Sequence, residues 1–251
     1  MTPAEVGHYL ARIAYTGPRE PTLAVLRDVH LAHLRAVPFE NLSVRRGEAI
    51  LLEEGALFEK VVRRHRGGFC YELNGLFAAL LEALGFRLAR LAGRVGVEGI
   101  PFDHMALRVD LDEPWLADVG FGDSFLAPPR LRSREPQDGG DGRRYRISDV
   151  DVGLLLLREQ EGGTWERQYA FTLETWPISA YAEGCRYHST SPKSHFTQKT
   201  VVSRATESGR VTLSERRLIF TEGGARRESE LADEAAVARA LAAQFGIVLA
   251  P

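Results

Sequence analysis

Arg66-Gly67-Gly68-Phe69-Cys70-Tyr71-Glu72-Leu73-Asn74 is the stretch that organises this chain. Two glycines precede the cysteine, and beyond it Leu73, Leu76, Phe77, Leu80, Leu81 and Leu84 keep a helical period until Gly85 supplies a stop. Apolar residues occupy much of that helix's surface, which predicts a central, buried element. A cysteine at its start lies near unpaired backbone N–H groups and the positive end of the helix dipole. Both favour the thiolate, the nucleophilic form of the side chain.

Towards the N-terminus the pattern stays helical. Thr2 with Glu5 three residues on reads as a capping box, with Pro3 at the first helical position and Tyr9, Leu10 and Ile13 on an apolar face. A second helix starts after Thr22 and ends before Pro38, and a third covers about 56–64. Beyond Arg87 the period changes to two. Leu91, Gly93 and Val95, then Met105, Leu107, Val109 and Leu111, then 115–119 read as strands, with Asp112-Glu113-Pro114 as a turn. The glycine-rich 133–146 reads as a flexible loop. Strands resume at 152–158, 168–173, 200–204, 211–213 and 217–220, before a last helix over 234–245 that Gly246 ends.

Composition narrows the function. The 251 residues carry 32 basic and 34 acidic side chains, a net charge of −2 that offers no broad footprint for nucleic acid or an anionic membrane. Cys70 and Cys185 are too few for a disulfide scaffold or a thiolate-rich metal site and suit a reducing cytoplasm. The start lacks the basic stretch and apolar run of a signal peptide. No apolar run approaches the roughly 20 residues that span a bilayer.

A nucleophilic cysteine needs a base and a group to orient that base. His104 and Asp118 stand seven residues either side of Leu111, so an antiparallel hairpin centred there brings them to one open end. Each of the three also has a plain structural reading: a small core thiol, a strand-end histidine, a turn aspartate. Cys185, between Gly184 and Arg186, reads as a bystander. His30 and His33 stand three apart on a helix and read as a packed or solvated pair, because no further ligand cluster supports a metal.

Five blocks in order resemble the arylamine N-acetyltransferase family: Val37-Pro38-Phe39-Glu40-Asn41-Leu42, the Cys70 stretch, His104-Met105, Asp118-Val119-Gly120-Phe121-Gly122, and Ser189-Thr190-Ser191-Pro192-Lys193-Ser194-His195-Phe196. The resemblance runs from Tyr9 to Phe245-Gly246-Ile247. It implies an α+β fold on a papain-like cysteine-enzyme core: a helical bundle with the cysteine over 1–85, a β-barrel-like domain with the histidine and aspartate over 86–185, and an α/β lid over 186–251. It also implies Cys70, His104 and Asp118 as a catalytic triad. Acetyl-coenzyme A is the implied donor, an arylamine or arylhydrazine the acceptor and ping-pong transfer the mechanism, with no metal.

The resemblance further implies that Tyr187, Lys193 and Gly122 meet coenzyme A, and that Phe39, Phe69, Phe121 and Phe196 line the acceptor cleft, where Asp103 is also placed as a substrate-binding residue. For each phenylalanine, core packing is the competing reading. One departure stands out. The family usually places a small hydroxyl residue before the histidine, whereas Phe102-Asp103 stand here. Asp103 is therefore expected either to compete with Asp118 for the imidazole or to alter the acceptor cleft. The same residues fit an amide synthase of this fold acting on a larger acyl thioester, a transglutaminase- or papain-like thiol hydrolase, or a non-catalytic aromatic-binding protein.

Overall fold

The computed structural model describes residues 1–96 and 99–249. Thr2 and Glu5 close the expected box on α1 (Pro3–Arg12), each side chain accepting the other's backbone N–H. Thr22 caps α2 (Leu23–Ala36). After the two-residue β1 (Phe39–Glu40) come α3 (Leu42–Arg45) and α4 (Glu54–Phe58), which runs on as a π-helical turn at Glu59–Arg63. The long α5 (Cys70–Ala83) then buries every residue from Cys70 to Leu81. It is the axis against which Tyr9, Leu10, Leu26, Val29, Val61 and Val109 pack.

β2 (Arg87–Val95), β3 (His104–Asp110) and β4 (Pro114–Ala117) continue into β5 (Gln137–Asp138), β6 (Arg144–Val150), β7 (Gly153–Glu159) and β8 (Trp165–Thr175). Together they form an antiparallel sheet of order β4-β3-β2-β8-β7-β6-β5. Segment 126–131 bonds to both edges: Leu116 N–H reaches Pro129 O beside β4, and Leu126 and Ala127 N–H reach Gly139 O beside β5. The sheet thereby curls around Leu91, Phe125, Tyr145, Ile147 and Tyr169 and becomes barrel-like. The stretch expected as a flexible loop over 133–146 is instead the β5–β6 hairpin, with Gln137 opposite Tyr145. Its glycines supply the positive φ of the turn, at +74° for Gly140 and +80° for Gly142.

Two short helices, α6 (Ala182–Thr190) and α7 (His195–Gln198), lead into β9 (Val201–Ala205), β10 (Gly209–Ser214), β11 (Arg217–Glu222) and β12 (Ala225–Glu230). The last helix, α8 (Glu234–Phe245), is capped by Asp233 and ended by left-handed Gly246. The second sheet has the order β1-β9-β10-β11-β12. Its first strand therefore comes from the N-terminal third, with Phe39 opposite Ser203. The expected border at 185/186 falls inside α6. The β1–β9 pairing and α6 thus run across the expected borders.

Candidate active site

The β3–β4 register pairs Leu107 with Ala117 and Val109 with Trp115. The hairpin is thus centred on Asp112, one residue beyond the expected Leu111, and Asp118 lies opposite Ala106 rather than His104. His104 and Asp118 are diagonal neighbours on one face, a separation that an imidazole spans. The Nε2–H of His104 meets Asp118 Oδ2 at 2.7 Å. The bond to the carboxylate fixes the proton on Nε2 and leaves Nδ1 to accept one. Tyr169 and Phe121 pack on the ring at 4.7 and 5.2 Å between centroids and hold its plane.

The carboxylate is held as firmly. Asn74, one turn along α5 from Cys70, donates to Asp118 Oδ1 at 2.8 Å, and Gly120 N–H donates to the same oxygen at 2.9 Å. Burial works against the charge, but the bonds from His104, Asn74 and Gly120 keep the Asp118 carboxyl below its usual range. His30 acts from behind. Its Nδ1–H donates to Leu126 O at 3.0 Å, so its Nε2 accepts Asp118 N–H at 3.2 Å. Together with the Tyr9–His33 bond at 2.9 Å, this makes the expected packed histidine pair. Among the described residues, no group of three His, Cys, Asp or Glu side chains could hold a metal.

Cys70 is the first residue of α5 and opens with His104 onto a cavity of about 780 Å³. Gly120 passes so close that a Cβ there would sit 2.7 Å from Cys70 Cα. The thiol differs from the expectation of a thiolate stabilised by its position alone. Burial pushes it well above its ordinary range, the Met105 backbone N–H opposes that rise and the Asp118 charge adds to it. The helix end has less to offer because its first turn already holds Glu72, which accepts Phe69 N–H at 3.2 Å and pairs with Lys60 at 2.6 Å. Cys70 and His104 line this cavity together with Asp103, His188 and His195.

Phe39, Phe121 and Phe196 line the cavity, as do Asp103, Tyr187 and Lys193. Phe69 does not. It is fully buried beneath the wall, edge-on to Tyr71 and Phe196, so its core reading holds. Gly122 also lies outside the lining. Its φ of +92° and a Phe39 carbon 3.2 Å from any added Cβ explain the glycine, and its carbonyl accepts from Arg210 rather than facing the cavity. Asp103 does not compete for His104, because its Oδ1 bonds His188 Nε2 at 2.7 Å. Cys185 is buried in α6, with its thiol raised by burial to about 12.

A family model described as N-acetyltransferase matches residues 22–251. The arylamine N-acetyltransferase of Mycolicibacterium smegmatis is 36% identical over 98% of this chain and 92% of its own length. The chain belongs to the arylamine N-acetyltransferase family. The arylamine N-acetyltransferase of Salmonella typhimurium superposes with a TM-score of 0.93 at 32% identity, over 98% of this chain and 92% of that one. The Mycobacterium marinum arylamine N-acetyltransferase solved in complex with CoA superposes at 0.91 and 37% identity, over 96% and 92%. Within this N-acetyltransferase fold, sequence reasoning gave no role to Asn74, His188 or Ser194. Asn74 follows Cys70 by four residues, a helical spacing that marks it as facing the same way. His188 had no local mark, since its partner Asp103 lies 85 residues away, and Ser194 meets it six residues on.

Proposed function

We propose that the chain moves an acetyl group from acetyl-coenzyme A, through a thioester on Cys70, to an arylamine or arylhydrazine. The His104–Asp118 bond of 2.7 Å, on the cavity that Cys70 opens into, carries this reading. His104 Nδ1 takes the Cys70 proton as Sγ attacks the acetyl carbonyl. The carbon–sulfur bond to coenzyme A then breaks, and its thiolate leaves with that proton. The acceptor amine attacks the Cys70 thioester next and loses its proton to Nδ1, and the amide departs as Cys70 regains its proton. Asp118 keeps its negative charge throughout and steadies the imidazolium. Exchange between thiols is nearly neutral in energy, so the enzyme stores the acetyl group without losing its reactivity towards amines.

Phe39, Phe121 and Phe196 offer flat apolar faces for the aryl ring. Tyr187 and the exposed Lys193, on the α6 side of the cavity, are assigned to coenzyme A, with the ammonium placed for a phosphate. The reaction is assigned to a reducing cytoplasm, where both cysteines stay free. No helix among the described residues is long and apolar enough to cross a membrane. Small molecules, rather than nucleic acid or lipid, are the assigned partners, in keeping with the near-balanced charge.

Intact-mass measurement after mixing with acetyl-coenzyme A tests this reading. One acetyl adduct per chain is expected, absent in Cys70→Ala. An unmodified wild-type mass rejects it, and faster acylation from a bulky acyl thioester than from acetyl would make the protein an amide synthase.

A further inference from the structure

The residue before the catalytic histidine shares its cavity. Asp103 stands just before β3, outside the alternation that sends strand neighbours to opposite faces, and so shares one space with His104. The turn that delivers it includes Phe102 at a φ of +58°, a conformation that a large side chain holds only when its surroundings impose it. Tyr71 OH donates to the carbonyls of Phe102 and Asp103 at 2.7 and 3.1 Å, and Gly184 packs so close that a Cβ would lie 2.5 Å from Phe102 O. Two helices thus hold the carboxylate in place.

Its bonds leave it half used. Oδ1 takes the His188 Nε2–H at 2.7 Å and Oδ2 takes Val95 N–H at 2.9 Å. The Ser194 hydroxyl lies 3.1 Å from His188 Nδ1 and completes the chain of bonds. A carboxylate brings negative charge and acceptor sites only, and each Asp103 oxygen keeps a free lone pair. Both side chains are only about a tenth exposed, at 11% and 10%, so solvent screens this charge weakly. Lys193, the cation on the same cavity, is exposed and counts for less.

We propose that Asp103, braced by His188, is the specificity-determining residue of the acceptor cavity and selects aromatic amines that bear a cationic group over those that bear an anionic one. This rests on the acetyl-transfer reading and names its acceptor class. A cationic substituent gains a charge-assisted bond to a carboxylate that is already oriented, whereas a carboxylate substituent meets like charge in a poorly screened space.

The test compares 4-aminobenzamidine, 4-methylaniline and 4-aminobenzoate as acceptors for the wild type, Asp103→Asn, Asp103→Ser and Asp103→Glu. The wild type is expected to favour the amidine over the benzoate in kcat/KM, with the difference carried by KM. That ratio falls by roughly tenfold or more in the Asn and Ser variants and is retained in Glu. Taking the ratio within one enzyme cancels any loss of folded protein. A wild type that favours the benzoate overturns the proposal without any variant, as does a ratio unchanged in Asp103→Asn. Calorimetric binding of the amidine and the benzoate to the wild type separates the two readings. Preferential amidine binding without acetylation of Cys70 rejects the transferase and keeps the selectivity, whereas acetylation with equal binding does the reverse.

Discussion

Asn74 and Asp118 are joined at 2.8 Å, so the helix that starts with Cys70 also fixes the carboxylate that holds His104. The same amide donates to Met105 O at 2.6 Å and accepts Val119 N–H at 2.9 Å, which ties α5 to both strands of the β3–β4 hairpin. The placement of Asp118 relative to the start of α5 is thereby set by one side chain.

Asn74→Ala leaves the Met105 carbonyl and the Val119 N–H buried and unpaired and gives Asp118 freedom to turn. A loss of about 1–3 kcal/mol in denaturant unfolding is expected for the orphaned groups. Single-turnover acetylation of Cys70 should slow by roughly 10- to 100-fold in the fraction that folds, by analogy with the loss of a partner that orients a ligating or catalytic group. Unchanged acetylation at reduced stability would confine Asn74 to a structural role.

His104→Gln separates the two influences on Cys70. With its proton acceptor gone, the thiol keeps the upward push of burial and of the Asp118 charge. Iodoacetamide should then modify Cys70 only as the pH climbs beyond the free-thiol value of about 8.5, while the wild type reacts at neutral pH. Matching pH profiles for the two proteins would remove His104 from the ionisation of Cys70.

His30 predicts how the fold responds to acid. Burial lowers it to about 4, against the bonding contributions of Leu126 and Asp118, from an ordinary value of 6.5. Between those values the unfolded chain binds a proton that the folded chain refuses, so stability falls as the pH drops from about 6.5 towards 4. The loss amounts to about 3 kcal/mol for a shift of this size. His33, also pushed well below its usual value by burial, adds to it in the same direction. Urea unfolding at pH 7 and pH 4.5 measures the slope. His30→Gln should flatten it, and an equal slope in that variant would rule His30 out as its source.

The N-terminal helices were legible because their boundaries are written locally. Thr2, Thr22 and Gly85 cap or stop helices through bonds to residues a few positions away. The meeting of His104 with Asp118 was legible too, since two polar residues at a hairpin's open end need only local geometry. Register was harder. A shift of one residue in the hairpin centre depends on how the whole sheet pairs, which a single strand's alternation does not reveal. Arg-Tyr-His-Ser-Thr gives no apolar stripe from which to read α6, because that helix is held by Asp103 and Tyr71 rather than by a core of its own. β12 is exposed throughout and recognisable only by its backbone pairing with β11.

Asn41 links the beginning and end of the chain: its amide donates to Phe196 O and Lys199 O and accepts Val201 N–H, beside the β1–β9 pairing. A polypeptide arrested before β9 would already contain Cys70, His104 and Asp118, yet its Phe39–Glu40 edge would have no partner and the strap bearing Lys193 and Phe196 would have nothing to close on. Closure of the strap over the cavity therefore depends on a strand more than a hundred residues beyond Cys70, and order at the cavity's rim is set by the part of this sequence that leaves the ribosome after the residues it encloses.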